Sequence, residues 1–264
     1  MVLLASQTIT SATNRPVETS INQLLSEYEF TSAKKLSGLI HIKNVLEEFG
    51  IISIPPIEDA DFKAPIVLQP KLSGEKALQK VKGLLDQDGE TFTLELKSSI
   101  RICRDKQKHA PGKPINEYVK QDLEYQLARE ISAFANKNGG DIICGVAEIA
   151  EEDGGGLNIL GCQDDINSFT KGSGKSDKID LILNQLIEKY FLEASIARQY
   201  IQFELVIYQD KPLLLISVAA SKKLIFLREN INKNNQLNIR QGTSAQSVKF
   251  SDIENYYTLK RISS

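Results

Sequence analysis

The strongest constraint on the fold comes from residues 115–146, where a long amphipathic helix runs directly into a buried strand. Apolar side chains recur on one stripe from Ile115 to Ala135 at the spacing of an α-helix. The turn Asn136–Gly140 ends this helix, and we expect one of its two glycines to cap it in the left-handed conformation. Ile142–Val146 then has the composition of a buried strand. The sequence therefore predicts a helix connected to a sheet.

Further strands are expected on both sides of this pair, so residues 86–264 are predicted to form an α+β domain with a mixed sheet and flanking helices. Apolar and polar residues alternate in Thr91–Lys97, which predicts a strand whose apolar face includes Phe92. Residues 202–219 contain two apolar segments around a short polar turn, a pattern typical of a hairpin.

Residues 1–85 are predicted to form a separate, mainly helical region. Apolar residues recur at helical spacing within residues 20–28 and 36–46, and Leu72–Leu85 is expected to form a third helix. A short strand is expected at Ile51–Ile54. This region is interpreted as a winged-helix-like reader or as a module that docks a partner.

The composition excludes several classes of protein. A net charge of −2 argues against a generally basic binder, so a nucleic-acid surface would have to be a local basic patch. Three cysteines without a CxxC pair and two histidines disfavour a zinc site, and carboxylate ligands would favour Mg²⁺ or Mn²⁺. No apolar run approaches the roughly 18 residues of a membrane helix, and Met1–Ala12 lacks a basic segment. A cytoplasmic protein without membrane contact is expected.

Four motifs in the second half of the chain resemble, in their order, those of the Schlafen AlbA_2 domain family. They are Glu90-x4-Glu95-Leu96-Lys97, Ile131–Gly140, Gly145–Glu148 and Ile239–Ser244. The resemblance implies the AlbA_2 core fold for residues 86–264 and a role in handling nucleic acid. Residues 1–85 lie outside it.

The vertebrate members of this family look like metal-dependent ribonucleases that act on structured RNA such as tRNA. The resemblance implies that Glu90, Glu95 and Glu148 build the active site and hold Mg²⁺ or Mn²⁺. Glu148 is a departure, because the family's nucleases have aspartate at this position. The long Schlafens close two similar lobes around RNA. Since one such lobe is evident here, we expect a homodimer, or a partner protein, to complete the groove.

Two classes of function follow from the resemblance. The first is a divalent-metal-dependent endoribonuclease that acts on structured RNA in antiviral defence, with DNA as a further possible substrate. The second is a non-catalytic DNA- or RNA-binding transcriptional regulator, or an interaction subunit of a defence complex.

Together with the resemblance, the residue pattern makes Glu90, Glu95, Lys97 and Glu148 the candidate catalytic residues, and alternatives stay open for each glutamate. Glu95 and Lys97 leave the same strand face because they are two residues apart, and a carboxylate beside a lysine suits phosphodiester chemistry. The alternative is a weak surface ion pair. Glu90 is an odd number of residues from Glu95, so the two converge only if Glu90 lies in a turn before the strand, which Gly89 would allow, or if a bulge intervenes. The alternative for Glu90 is an exposed acid in a loop. The alternative for Glu148 is a solvated acidic loop.

Basic and polar residues near the predicted site are candidate contacts to nucleic acid. A basic run after the Glu95 strand contains Arg101, Arg104, Lys106, Lys108 and Lys113. These residues either contact the phosphate backbone or form a solvated linker. Asn136 lies in the turn that ends the long helix, where it either has a structural role or lies beside a bound phosphate. Arg240 either binds phosphate or pairs with a site glutamate.

Overall fold

The computed structural model divides the chain into two compact units, residues 1–72 and residues 73–264. The structure describes residues 8, 12, 17–28, 30, 35–87, 89–150, 152, 154–169, 174–228, 235–254, 256 and 258. Within these ranges, no helix is both long enough and apolar enough to cross a membrane.

The first unit contains two helices and a three-stranded antiparallel sheet within its described residues. Their bounds are β1 (Val17–Ser20), α1 (Ile21–Glu27), α2 (Lys35–Glu48), β2 (Ile51–Ile54) and β3 (Pro65–Pro70). The strand order is β1-β3-β2. Strand β2 was predicted from the sequence, whereas β1 and β3 were not. Prolines at both ends of β3 hide its strand pattern. The order of these elements accords with a winged-helix-like unit, which stays a prediction.

The second unit mixes helices and strands, which confirms the predicted α+β class. Its helices are α3 (Gly74–Leu85), α4 (Arg104–His109), α5 (Gln121–Ala135), α6 (Gln163–Asn167), α7 (Lys175–Tyr190) and α8 (Ala194–Arg198). Its strands are β4 (Leu94–Lys97), β5 (Gly140–Cys144), β6 (Val146–Glu148), β7 (Leu157–Ile159), β8 (Ile201–Tyr208), β9 (Lys211–Val218), β10 (Phe226–Leu227), β11 (Gln236–Gln241) and β12 (Ser244–Ser247).

A four-stranded mixed sheet with the order β4-β5-β9-β8 lies at the centre of the second unit. Strands β4 and β5 are parallel, with Glu95 opposite Ile142, and the other two pairs are antiparallel. The predicted hairpin is β8–β9, whose turn residues Gln209 and Asp210 have φ values of 48° and 61°. These values fit the tight turns that join twisted antiparallel strands. Helix α5 packs against this sheet and against β10–β12.

The predicted long helix is shorter than its apolar stripe. Residues Ile115–Tyr118 form a 3₁₀ turn, and α5 begins only at Gln121. Its end agrees with the prediction, because Gly139 has a φ of +75° and its N–H donates to the Phe134 carbonyl at 2.9 Å. A Cβ atom at Gly139 would lie 2.6 Å from the Val218 carbonyl oxygen, so this position needs glycine for space as well as conformation.

Helix α3 belongs to the second unit, so the division falls after residue 72, whereas the sequence analysis placed it after residue 85. Ala77 and Val81 are fully buried on this helix, and Lys80 pairs with Asp141 of β5 at 2.6 Å. These contacts hold α3 on the central sheet.

The chain before β4 differs from the alternating strand predicted from the sequence. Thr91 and Leu94 exchange backbone hydrogen bonds of 3.1 and 3.4 Å, so residues 91–94 form a tight turn and the strand begins at Leu94. Phe92, which was predicted to lie on the apolar face, is 72% exposed at the tip of this turn.

Candidate active site

The turn before β4 brings Glu90 and Glu148 together. The Glu90 backbone N–H donates to Glu148 Oε1 at 2.9 Å, and Glu90 Oε1 accepts from the Leu96 N–H at 3.0 Å. Gly89 makes this approach possible, because its φ is +110° and a Cβ there would lie 2.8 Å from Glu148 Oε1. The turn therefore directs Glu90 back over β4, as convergence on one site requires.

Glu95 lies at the centre of a buried ion-pair network. It is 3% exposed, its Oε1 accepts from the Lys97 ammonium, and its Oε2 accepts from Arg240 Nη1 at 2.6 Å. Arg240 Nη1 also lies 2.6 Å from Glu130 Oε2, and its guanidinium carbon lies 4.6 Å from the centre of the Phe134 ring. Both oxygens of Glu95 are thus occupied by cationic side chains.

Arg240, on β11, also hydrogen-bonds to the turn before β4. Its Nη2 donates to the carbonyl oxygens of Thr91 and Leu94 at 3.2 and 3.3 Å, which are the two ends of the turn before β4. Of the two roles considered for Arg240, the structure contains the ion pair with a site glutamate. Its side chain is 2% exposed, so in this arrangement it is not available to phosphate.

The site carries more acidic than basic groups. Four carboxylates, those of Glu90, Glu95, Glu130 and Glu148, face the two cations Lys97 and Arg240.

The pKa values of the site reflect this excess of acid. Burial, reinforced by the charges of Glu95 and Glu148, raises the pKa of Glu90 to about 7. Burial and the Glu95 charge also raise the pKa of Glu130. Burial alone would lower the pKa of Lys97. The neighbouring carboxylates, of which Glu95 has the largest effect, outweigh burial and raise the pKa of Lys97. A carboxyl that titrates near neutral pH beside a lysine is an arrangement common at catalytic sites.

The predicted three-glutamate metal site is not preformed. Among the described residues, no group of three His, Cys, Asp or Glu side chains could hold a metal ion. Both oxygens of Glu95 accept hydrogen bonds, one from Lys97 and one from Arg240. Glu90 and Glu148 each keep a second carboxylate oxygen without a hydrogen-bond partner among the described residues. Two carboxylates suit Mg²⁺ or Mn²⁺ when water and substrate phosphate supply the remaining ligands.

Asn136 is a structural residue, which corrects its prediction as a nucleic-acid contact. It is 1% exposed, and its side-chain amide donates to the carbonyl oxygens of Ile225 and Asn238 at 2.8 and 3.0 Å. Its Oδ1 accepts from the Ile225 N–H at 2.8 Å. These bonds join the end of α5 to β11 and to the chain before β10, so the amide does not face solvent.

Two of the predicted basic contacts are held in ion pairs. Arg101 Nε lies 3.1 Å from Glu124 Oε1, and both side chains are largely buried. Arg104 Nη1 lies 2.5 Å from Asp164 Oδ2, and its Nη2 donates to the Gly161 carbonyl at 2.8 Å. These two arginines anchor the loop after β4 and offer little of their charge to a ligand.

The lysines of the same region are more accessible. Lys106 and Lys108 are exposed on α4, and no ion pair holds either of them within the described part of the chain. Lys113 pairs with Glu117 at 3.2 Å, with both side chains about half exposed. The basic patch available to a ligand therefore centres on α4.

Sequence analysis missed two acidic residues that organise the site. Glu130 lies on α5, where the apolar stripe indicated a packed helix and gave no sign that this carboxylate belongs to the site. Asp165, at 0% exposure, accepts from Ser99 Oγ at 2.7 Å and from the Arg101 N–H at 2.8 Å, which shapes the loop after β4. Asp141 of β5 is held by Lys80 at 2.6 Å and is not part of this cluster. Short-range patterns carry no signal for pairs so distant in sequence.

Comparisons with known proteins identify the second unit. The family model described as Schlafen, AlbA_2 matches residues 90–249. No curated protein matches the chain.

Two solved structures are similar to this chain. The crystal structure of the DIP2311 protein from Corynebacterium diphtheriae is 20% identical, with a TM-score of 0.43 over 71% of this chain and 32% of that chain. This chain thus spans about a third of that protein. The N-terminal domain of a putative ATP-dependent DNA helicase RecG-related protein from Nitrosomonas europaea, solved by NMR, is 16% identical, with a TM-score of 0.38 over 68% of this chain and 95% of that one. Because the family model covers more than half of the chain, the protein belongs to the Schlafen AlbA_2 family.

Proposed function

We propose that the protein processes nucleic acid as a divalent-metal-dependent endoribonuclease that acts on structured RNA such as tRNA. The proposal rests on membership of the Schlafen AlbA_2 family and on the acidic cluster at the start of β4. The single observation that carries it is the convergence of Glu90 and Glu148, which are 58 residues apart in sequence. The Glu90 backbone N–H donates to the Glu148 carboxylate at 2.9 Å.

Glu90 and Glu148 are the residues that would hold Mg²⁺ or Mn²⁺, each through its unoccupied carboxylate oxygen. A bound divalent cation would activate water and offset negative charge on the phosphate. The excess of carboxylates over cationic side chains supports this assignment, because a divalent ion would offset the charges of Glu95 and Glu148, which add to the effect of burial in raising the pKa of Glu90.

Lys97 is proposed to stabilise charge on the scissile phosphate. Its side chain is 25% exposed, and Glu95 holds its ammonium in place. Glu95 was predicted as a metal ligand, and we now assign it the role of a positioning residue for Lys97 and Arg240. Lys106 and Lys108 would contact the RNA backbone, where each neutralised phosphate adds salt-sensitive affinity.

The experiment that tests this function is a cleavage assay with labelled tRNA, single-stranded RNA and DNA. The protein is incubated with Mg²⁺, with Mn²⁺ or with a chelator, beside Glu148→Gln and the exposed control Glu152→Gln. The proposal expects cation-dependent cleavage of RNA by the wild type and the control, with loss of cleavage in Glu148→Gln. Salt-sensitive binding without cleavage under any cation would contradict it.

A non-catalytic role is the second candidate, and a specific observation favours it. Both carboxylate oxygens of Glu95 are occupied by Lys97 and Arg240, and Glu148 replaces the aspartate of the family's nucleases. Under this alternative the protein binds DNA or RNA as a regulator, or serves as an interaction subunit of a defence complex. The cleavage assay separates the two, because a regulator would bind nucleic acid and leave it intact.

A further inference from the structure

Phe92 is an exposed aromatic side chain at the edge of the acidic cluster. It is 72% exposed, more than any other large hydrophobic side chain among the described residues of the second unit. It lies two residues after Glu90 and three before Glu95, so its backbone is within about 7 Å of that of Glu90. The exposed ring leaves its apolar face available to a ligand at the edge of the site.

The turn that carries Phe92 is held rigidly. Thr91 N–H donates to the Leu94 carbonyl at 3.1 Å, and Thr93 N–H donates to Thr91 Oγ1 at 3.2 Å. The buried guanidinium of Arg240 donates to the carbonyl oxygens at both ends of the turn. The ring is therefore presented on a fixed support, which lowers the entropy cost of binding a ligand on it.

The surroundings of the ring favour a flat, uncharged ligand of limited size. Thr91 and Thr93 flank Phe92 in sequence, and the nearby acidic cluster is polar, so neither its chain neighbours nor the site adds apolar surface to the ring. A protein-docking surface normally presents a contiguous patch. A single exposed aromatic beside a phosphate-handling site instead suits a nucleobase, which stacks on aromatic rings whatever its sequence.

We propose that Phe92 stacks on an unpaired base of the RNA, next to the phosphate that is processed at Glu90 and Glu148. The inference rests on the proposed function and adds to it a substrate feature. A base can reach the ring only when it is released from a duplex, so the site selects a loop, a bulge or a single-stranded end.

The test compares Phe92→Ala and Phe92→Tyr in a Glu148→Gln background, which prevents cleavage during the measurement. Ile207→Ala is the matched control, because Ile207 is also exposed, at 52%, but lies on β8. The probes are a single-stranded RNA with one 2-aminopurine and the same RNA in a full duplex, and Kd and fluorescence are measured for both.

The inference expects Phe92→Ala to weaken binding of the single strand by about 5- to 100-fold and to abolish the fall in 2-aminopurine fluorescence on binding. Phe92→Tyr and Ile207→Ala should keep both signals, and duplex affinity should not change. Circular dichroism and the unfolding midpoint of each variant establish that it is folded.

Each contrary result has its own meaning. Equal single-strand affinity in Phe92→Ala and its parent would overturn stacking while leaving the proposed function intact. An equal loss of affinity for single strand and duplex would also overturn it, since a general defect does not report an unpaired base. If the parent binds no RNA and the wild type cleaves none, the proposed function falls first and this inference falls with it. A self-association that Phe92→Ala abolishes, without any change in RNA affinity, would assign the ring to a protein contact instead.

Discussion

Replacing Glu90 with glutamine is expected to stabilise the folded protein at alkaline pH and to change its stability little at acidic pH. Burial, with the charges of Glu95 and Glu148, raises the pKa of Glu90 from 4.5 to about 7. The folded state therefore holds this proton more tightly than the unfolded chain does. The stability it contributes is complete below about pH 4.5 and is lost as the pH rises through about 7. Glutamine carries no charge at any of these pH values and keeps an oxygen for the Leu96 N–H.

The size of the effect follows from the pKa. A rise in the pKa of Glu90 from 4.5 to about 7 corresponds to about 3 kcal/mol, at roughly 1.36 kcal/mol for each unit of pKa. Because the Glu90 carboxyl is only half-buried, solvent screening reduces the expected contribution to about 1–2 kcal/mol. Glu90→Gln should thus exceed the wild type in free energy of unfolding by about 1–2 kcal/mol near pH 8, and should nearly equal it near pH 5.

Urea unfolding near pH 5 and near pH 8, in the presence of a chelator, measures this difference. Glu117→Gln is the control, since Glu117 is 52% exposed and its surface pair with Lys113 should contribute at most about 1 kcal/mol at either pH. If Glu90→Gln shifts stability equally at both pH values, or destabilises the protein near pH 8, the electrostatic description of the site is refuted.

Four further predictions concern the residues that support the site, the basic patch and the assembly. Arg240→Met should lower the free energy of unfolding by about 3–5 kcal/mol in urea titrations, because it removes the cation shared by the buried carboxylates of Glu95 and Glu130 and leaves only Lys97 beside them; a loss below about 1 kcal/mol would contradict the network. Asn136→Ala should cost about 1–3 kcal/mol for each buried backbone group left unpaired, yet the folded fraction should bind RNA with unchanged Kd. Lys106→Ala and Lys108→Ala should each weaken RNA binding and reduce the slope of log K against log salt by about 0.7–0.9, whereas Lys82→Ala on α3 should leave the slope unchanged. Sedimentation at micromolar concentration should give a homodimer, and a fully active monomer would remove that expectation.

The elements of the second unit were predictable because their patterns are local. The β8–β9 hairpin, α3 and the glycine cap after α5 all lie within short stretches whose periodicity or turn residues indicate their conformation. The Schlafen AlbA_2 resemblance was equally accessible, since its motifs consist of neighbouring residues in a set order.

The details of the site were less predictable, because they depend on pairs that are distant in sequence. The Glu95–Arg240 ion pair spans 145 residues and decides whether Glu95 is available to a cation. The two roles considered for Asn136 could not be separated from the sequence, because its partners, Ile225 and Asn238, lie far along the chain. Phe92 was predicted to lie on the apolar face because Thr91–Lys97 alternates in the manner of a strand. The turn closed by the backbone hydrogen bonds of Thr91 and Leu94 exposes it instead.

If Glu148 acts in the cleavage of RNA, a single-turnover cleavage assay will show it. Cleavage of end-labelled tRNA in Mn²⁺ is compared for the wild type, Glu148→Gln and Glu148→Asp, with the Kd of each for the same tRNA. We expect a rate at least about 100-fold lower for Glu148→Gln, a Kd close to that of the wild type, and retained cleavage by Glu148→Asp. Equal rates for the wild type and Glu148→Gln would contradict it.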